Sequence, residues 1–185
     1  MNTKKILIVV DMQEDFIRGS LGNDDCRNAI KGCVDLCKSG EFDHIIFTRD
    51  THFENYLNTL EGEKLPVKHC IYGSDGWKII PELAEFVKNS ELKEDVGSNV
   101  INKFTFGSLS LTDMIEPLRN GLNDIELHFA GVCTSICVLS NMTICRAKYP
   151  DVKIVLHKNA TGDVTPEMKN AAFICANAIQ CEVVE

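Results

Sequence analysis

The sequence predicts an α/β fold in which helices cover both faces of an open, doubly wound, parallel β-sheet. Six short apolar runs rich in β-branched residues recur along the 185 residues, and helix-like stretches separate them. The runs lie at residues 6–10, 45–48, 100–101, 125–129, 154–156 and 183–184. Continuous apolar runs are typical of parallel strands buried on both faces, and right-handed crossovers between them build such a sheet.

The first and last crossover helices have clear ends in the sequence. Between residues 26 and 37, apolar side chains recur at spacings of three and four, which predicts an amphipathic helix, and Gly40 provides a stop. Thr165 and Pro166 are favourable N-cap and first helical residues for a last helix, which we expect to extend to about Ile179. Both helices are long enough to connect neighbouring parallel strands.

The composition excludes several classes of protein. A chain of 185 residues has the length of one domain, which we expect to span residues 1–185. No apolar run approaches the roughly 18 to 20 residues that a membrane-spanning helix needs, and the net charge of -8 opposes binding to nucleic acid. The run at residues 6–10 is too short for a signal peptide, and the nine cysteines form no C-x-x-C pair. We therefore expect reduced thiols and a cytoplasmic protein.

Three chemically complementary side chains follow strands of the predicted sheet. Asp11 follows the first apolar run, Lys103 the third, and Cys137 lies in the first turn of a helix after the fourth. Ligands of doubly wound sheets bind at these carboxyl ends. The helix N-terminus favours a thiolate, so we expect Cys137 to be a partly ionised nucleophile, with Asp11 as general base and Lys103 as stabilising charge. The competing interpretations are a packing cysteine, a capping carboxylate and a surface lysine.

A possible metal site lies beside these residues. Asp50 and His52 are two residues apart, so in an extended segment both side chains point to the same face. His69 would complete the set from residues 52–76, a stretch with little periodicity that we expect to be a long connection. Three such ligands leave a position open for catalysis and suit zinc, iron or manganese. The alternative is that both histidines are ordinary hydrogen-bonded loop residues.

With these residues in view, the sequence resembles the isochorismatase-like cysteine hydrolase superfamily and, within it, the nicotinamidase branch. The resemblance spans nearly the whole chain and rests on five motifs that occur in the family's order. They are Val9-Val-Asp11-Met-Gln-Glu-Asp-Phe16, Thr48-Arg-Asp50-Thr-His52, Pro66-Val-Lys-His69-Cys-Ile-Tyr-Gly73, Asn102-Lys103-Phe-Thr-Phe-Gly-Ser108 and Gly131-Val-Cys-Thr-Ser-Ile-Cys137.

The resemblance implies a fold, a site and a reaction. The fold is a Rossmann-like, six-stranded parallel sheet, and the reaction is hydrolysis of a small amide to an acid and ammonia through a thioester. A divalent metal, with zinc first and iron or manganese as alternatives, and a homo-oligomer are also implied. The implied site comprises the catalytic triad Asp11, Lys103 and Cys137, the metal ligands Asp50, His52 and His69, and the substrate-binding residues Phe16 and Cys133. A cis peptide between Val132 and Cys133 would help the amides of Cys133 and Cys137 to form the oxyanion hole.

The sequence also departs from the family pattern. Nicotinamidases commonly carry an aromatic residue shortly before the third metal ligand, whereas Leu65-Pro-Val-Lys68 contains none. Phe16 could cover one face of a pyridine ring, and Tyr72 or Trp77 the other. Ser135 stands where the family frequently has aspartate, and Asn159 where an acid is common. The alternatives are therefore a hydrolase of another small amide, carbamoyl or enol-ether compound, or a non-catalytic metal-binding relative.

Overall fold

Six parallel strands form one sheet in the order β3-β2-β1-β4-β5-β6 in the computed structural model, which describes residues 3–88, 97–121 and 124–185. The strands are β1 Lys4–Val10, β2 His44–Asp50, β3 Val100–Lys103, β4 Ile125–Val132, β5 Lys153–Gly162 and β6 Glu182–Val184. Each predicted apolar run lies within one strand, so the predicted fold class is confirmed.

The order of the strands creates a switch point between β1 and β4. From β1 the chain first adds β2 and β3 on one side, and it then returns to add β4, β5 and β6 on the other. β1 pairs with both β2 and β4, and its residues from Ile6 to Val10 are fully buried. A crevice outside the carboxyl ends of β1 and β4 is where such a sheet binds ligands.

Helices cover both faces of the sheet and bury two apolar layers. α1 Glu14–Ile17 and α2 Asp24–Lys38 pack on one face, and α4 Ser110–Ile115, α5 Leu139–Lys148 and α6 Pro166–Ala178 on the other. The Asn23 side chain caps α2 by accepting the Cys26 N–H at 2.9 Å, and Thr165 caps α6 as predicted. Within the part of the chain that the structure describes, no helix is both long and apolar enough to cross a membrane.

The connection at residues 52–76 includes two short helical elements. It contains a 3-10 turn at Tyr56–Asn58 and a short helix, α3 Leu60–Lys64, which the Thr59 hydroxyl caps by accepting the Gly62 N–H at 3.1 Å. A Cβ atom at Gly62 would collide with the Tyr56 carbonyl oxygen, so this glycine permits close packing of α3 on the turn. The predicted long connection is confirmed, since residues 52–76 lie between the end of β2 and the start of β3. A five-residue helix is too short to give a periodic pattern in the sequence.

Candidate active site

The structure brings Asp11, Lys103 and Cys137 together at the switch point. Lys103 Nζ lies 2.7 Å from Asp11 Oδ2 and 3.5 Å from Cys137 Sγ. Asp11 and Lys103 are buried almost completely, and Cys137 is 6% exposed to solvent. Three segments that are distant in sequence therefore place a carboxylate, an ammonium group and a thiol within direct contact.

The backbone at the end of β1 directs the Asp11 side chain into the crevice. Asp11 adopts a left-handed conformation with φ of 49°, which aspartate tolerates better than most residues. The Thr48 hydroxyl, at the end of β2, donates a hydrogen bond to Asp11 Oδ1 at 2.7 Å. This contact leaves Oδ2 for the Lys103 ammonium group.

Acceptors surround the buried ammonium group of Lys103. Besides Asp11, Nζ contacts Asp50 Oδ1 at 3.1 Å and donates to the Thr105 carbonyl at 3.2 Å. Burial lowers the pKa of Lys103, but the charges of Asp11, Cys137 and Asp50 outweigh this effect and raise the pKa well above its usual value. The lysine is therefore a fixed positive charge between the thiol and the carboxylates.

The Cys137 thiol lies in a tight turn between β4 and α5. Gly131 has a φ of 107°, and a Cβ atom there would collide with the backbone of Val10 on β1. The peptide between Val132 and Cys133 is cis, and residues Thr134–Val138 form a single π-helical turn that leads into α5. The Cys133 carbonyl accepts the Ile136 and Val138 N–H groups at 3.2 and 3.1 Å. Cys137 thus lies in the first turn of a helical segment, as predicted.

The prediction that Cys137 is partly ionised near neutral pH is wrong. Burial raises the pKa of the Cys137 thiol well above its usual value, and Lys103 lowers it too little to compensate for Asp11 and Asp50. Burial also raises the pKa of Asp11, against the opposing effect of Lys103. Both the thiol and the carboxylate therefore bind protons more tightly than usual, which suits transfer of a proton between them.

Asp50, His52 and His69 form one cluster, and Glu61 joins it. The four residues each offer one ligand atom, and these atoms all lie within 4.8 Å of one another. His52 Nε2 lies 3.0 Å from Asp50 Oδ2 and 3.5 Å from Glu61 Oε1, while His69 Nε2 lies 3.5 Å from Asp50 Oδ2. Glu61 was not among the predicted ligands, because it belongs to α3, whose five residues carry no periodic signal.

The chemistry of this cluster fits a divalent cation. His69 Nδ1 lies 2.8 Å from the Val67 carbonyl oxygen, so Nδ1 carries the proton and the Nε2 lone pair faces the carboxylates. Burial lowers the pKa of His52, but Asp50 and Glu61 outweigh it and raise the pKa to about 9. Two carboxylates and two imidazole nitrogens that converge in this way provide the oxygen and nitrogen donors that zinc, iron or manganese binds.

The aromatic candidates differ in their availability to a substrate. The Phe16 ring meets the His69 ring edge-on, with centroids 5.5 Å apart, and so borders the metal-ligand cluster. Trp77 is buried: the Arg49 guanidinium lies 3.5 Å from the centroid of its ring, and its indole N–H donates to Thr51. The Tyr72 ring packs 4.9 Å from the Trp77 ring and is 43% exposed. Trp77 is thus part of the packing, which leaves Phe16 and Tyr72 as candidates for contact with a ring.

Two cysteines near the site have different surroundings. Cys133 is nearly buried, at the turn that leads to Cys137. Cys70, beside His69, is fully buried; its carbonyl accepts the His52 N–H at 3.0 Å, and its own N–H donates to Asp15 Oδ2 at 2.7 Å. The Cys70 backbone therefore connects the segments that carry the two histidines.

Three buried polar residues to which the sequence assigned no role also support the site. Gln13 makes two hydrogen bonds to the Asp50 backbone, and Asn141 donates to the Cys137 carbonyl at 2.8 Å. Asp163 accepts the Ser135 N–H and hydroxyl at 2.7 and 3.0 Å. A buried amide or carboxylate needs hydrogen-bond partners, but a sequence does not reveal which ones. Asn159, the other departure from the family pattern, is exposed.

Comparisons with known proteins identify the family of the chain. The family model described as Isochorismatase domain matches residues 5–185. An isochorismatase family protein of Bacillus subtilis, PncA, is 31% identical over 191 residues, which cover 98% of this chain and all of the relative.

The crystal structure of nicotinamidase PncA from Bacillus subtilis has a TM-score of 0.78 at 26% identity, covering 98% of this chain and 99% of that one. A pyrazinamidase of Pyrococcus horikoshii in complex with zinc shares the fold, with a TM-score of 0.76 at 21% identity over 98% and 99% of the two chains. The predicted resemblance is confirmed, and the chain belongs to the isochorismatase family.

Proposed function

We propose that this protein is a metal-containing cysteine amidohydrolase that converts nicotinamide, or a closely related small amide, to a carboxylic acid and ammonia. The main support is the contact of Lys103 Nζ with both Asp11 Oδ2 at 2.7 Å and Cys137 Sγ at 3.5 Å. A nucleophile, a proton acceptor and a stabilising cation in one crevice are the groups that thioester chemistry requires. The likeness to a Bacillus subtilis nicotinamidase over almost the whole chain supports an amide as substrate.

Acylation of Cys137 is the first half of the proposed reaction. Asp11 accepts the thiol proton while Sγ attacks the carbonyl carbon of the amide, and the Lys103 ammonium group stabilises the developing thiolate. The backbone N–H groups of Cys133 and Cys137 would bind the oxyanion of the tetrahedral intermediate. When this intermediate collapses, the C–N bond breaks, Asp11 passes its proton to the leaving nitrogen, and ammonia departs from a thioester.

Hydrolysis of the thioester completes the cycle. Asp11, again a carboxylate, removes a proton from a water molecule, whose oxygen attacks the thioester carbonyl. The C–S bond then breaks, the sulfur recovers its proton, and the carboxylic acid is released. Because burial raises the pKa of Asp11, the residue can take up and return a proton in both halves of the reaction.

Asp50, His52, Glu61 and His69 would hold the metal, for which zinc is the first candidate and iron or manganese are alternatives. When bound, the ion would supply a Lewis acid that orients a ring nitrogen of the substrate or polarises water. Asp50 uses its other oxygen to contact Lys103 at 3.1 Å, which fixes the cluster relative to the nucleophile. Phe16, in edge contact with His69, would border the substrate ring.

Ammonia release from a panel of small amides and carbamoyl compounds tests this proposal. The wild-type protein should release ammonia from nicotinamide or a related heteroaromatic amide, and Cys137→Ala should abolish the release. Cys175→Ala is the matched control, because Cys175 is an exposed cysteine on α6. Trapping of an acyl adduct on Cys137, seen by mass spectrometry, would support the thioester. Undiminished activity in Cys137→Ala refutes the mechanism, and activity confined to carbamoyl compounds refutes the proposed substrate.

A further inference from the structure

The carboxylate of Asp163 is fully buried against the turn that carries the nucleophile. It lies directly after β5, and its oxygens accept three hydrogen bonds from the Ser135 N–H at 2.7 Å, the Ser135 hydroxyl at 3.0 Å and the Val164 N–H at 2.8 Å. Two of these donors belong to the π-helical turn Thr134–Val138. A buried carboxylate is costly unless its oxygens are hydrogen-bonded. Asp163 meets this requirement mainly through Ser135, so its position and that of the turn depend on each other.

Further hydrogen bonds connect the end of β5 to this turn and to neighbouring helices. The Thr134 hydroxyl donates to the Gly162 carbonyl at 3.0 Å, which adds a second connection between the turn and β5. The Asp163 N–H donates to Asp25 Oδ2 at 2.8 Å, and Asp25 also pairs with Lys169 of α6 at 3.1 Å. Asp25 in the first turn of α2 thus binds the Asp163 backbone, and Lys169 of α6 binds Asp25. These contacts fix the position of the Asp163 backbone relative to the turn.

The orientation of the turn decides where its N–H groups point. The Ser135 N–H is taken by Asp163, and the N–H groups of Ile136 and Val138 by the Cys133 carbonyl. Cys137 lies between the last two, so its N–H direction depends on the same backbone arrangement. A hydrogen-bond donor contributes to catalysis only when it is aimed at the position of the oxyanion, and displacements of about 1 Å can cost about 100-fold in rate.

We propose that Asp163 is a positioning residue that holds the Thr134–Val138 turn so that the Cys137 N–H is aimed at the oxyanion. The inference rests on the proposed function, because it assigns Asp163 a part in amide hydrolysis at the same site. A positioning role differs from a purely structural role in one respect. Loss of Asp163 should slow the steps that form an oxyanion and leave the reactivity of the Cys137 sulfur toward other reagents unchanged.

Asp163→Asn tests this inference, since it keeps the size of the side chain and replaces one acceptor oxygen with a donor amide group. We expect kcat and kcat/KM for the amide to fall by the same factor, about 10- to 100-fold, with KM unchanged. The rate at which iodoacetamide alkylates Cys137, followed on the Cys137 peptide by mass spectrometry, should stay at the wild-type value. Alkylation displaces iodide at a saturated carbon and forms no oxyanion. Ser135→Ala, which removes one of the two contacts with the turn, should give the same pattern with a smaller fall.

Asp43→Asn is the matched control, because Asp43 accepts the Lys5 N–H at 2.8 Å but lies before β2, at the opposite end of the sheet. It should leave kcat unchanged. Wild-type turnover in Asp163→Asn refutes the inference, and so does a parallel fall in turnover and alkylation. If Asp163→Asn does not fold, wild-type turnover in Ser135→Ala refutes it. A wild-type protein that hydrolyses no amide refutes the proposed function together with this inference, whereas full activity in the variants refutes the inference alone.

Discussion

Gln13 holds the backbone of Asp50 through both ends of its side-chain amide. Its Oε1 accepts the Asp50 N–H at 2.7 Å, and its Nε2 donates to the Asp50 carbonyl at 2.9 Å. Nε2 also donates to the Trp77 carbonyl at 2.8 Å, and the side chain is fully buried. One amide therefore fixes the position from which Asp50 reaches both the histidines and Lys103.

Replacing Gln13 should weaken metal binding at the candidate site without altering any of the four candidate ligands. Gln13→Ala leaves the Asp50 N–H and carbonyl without these partners, so we expect the free energy of unfolding to fall by about 1–3 kcal/mol. Zinc affinity should fall by about 10- to 100-fold, because residues that orient metal ligands typically contribute that much. Urea denaturation and competition with a zinc chelator would measure the two effects. Asn159→Ala, at an exposed amide, is the control, and unchanged zinc affinity in Gln13→Ala would contradict the prediction.

Two glutamates on α3 differ in their relation to the candidate metal site. Glu61 faces His52 and His69, whereas Glu63 on the same helix is exposed. Glu61→Gln should reduce zinc affinity by about 10-fold or more, and Glu63→Gln should leave it unchanged. His52→Ala should reduce it further, since it removes a nitrogen donor. Metal content after dialysis and isothermal titration would give these values, and equal affinities for the two glutamate variants would exclude Glu61 as a ligand.

The ammonium group of Lys103 should be required for both folding stability and activity. Lys103→Met leaves Asp11 and Asp50 buried without their shared cation, so the free energy of unfolding should fall by about 3–5 kcal/mol. Amide hydrolysis should fall by at least about 100-fold through loss of charge stabilisation. Lys158→Met is the control, because the pair between Lys158 and Glu185 is largely exposed and should contribute less than about 1 kcal/mol. Thermal unfolding and ammonia release test the two parts, and near-wild-type values for Lys103→Met would disprove them.

A histidine pair between β4 and β5 should make stability depend on pH. His128 Nδ1 lies 3.0 Å from His157 Nε2, and burial, with a further contribution from His128, lowers the pKa of His157 to about 4. Burial also lowers the pKa of His128, although Glu126 opposes this and Lys5 and Lys153 reinforce it. Because unfolded histidine has a pKa of about 6.5, the unfolded chain binds protons that the folded chain rejects between pH 6.5 and 4.

The contribution of this pair to the free energy of unfolding should therefore be full above about pH 6.5 and decline as the pH falls toward 4. We expect a loss of about 1–2 kcal/mol after allowance for solvent screening, because the pair is only partly buried. Urea denaturation of the wild-type protein and His157→Gln at pH 7 and pH 5 isolates the effect from that of other groups. The wild-type protein should lose more stability than the variant between these two values, and identical losses would contradict the prediction.

The sequence predicted which side chains converge at the candidate site better than it predicted their electrostatics. Asp11, Lys103 and Cys137 each follow an apolar run, and the topology of a doubly wound sheet brings such positions to one edge. The pKa of Cys137 depends on burial and on the distances to Asp11 and Asp50, which arise only when distant segments pack together. A helix N-terminus was visible in the sequence, whereas the burial of the Cys137 thiol was not.

The residues missed by the sequence prediction act through contacts that leave no local pattern. Glu61 lies on a five-residue helix, and Asp163 contacts Ser135 across a separation of 28 residues. Trp77 was a candidate for binding a substrate ring, yet its ring is occupied by Arg49 in the folded protein. Aspartate and glutamate are common on protein surfaces, so only the tertiary structure distinguishes Glu61 and Asp163 from solvent-exposed counterparts.

The position of Lys103 between Asp11 and Asp50 makes the electrostatics of the candidate metal cluster and of the Asp11 carboxylate interdependent. A change in the charge of one carboxylate alters the interaction of Lys103 with the other carboxylate, and so changes the pKa of that second carboxylate. The effects of substitutions at Asp11 and Asp50 on the free energy of unfolding will consequently be non-additive. A double-mutant cycle between these two residues would measure their interaction energy.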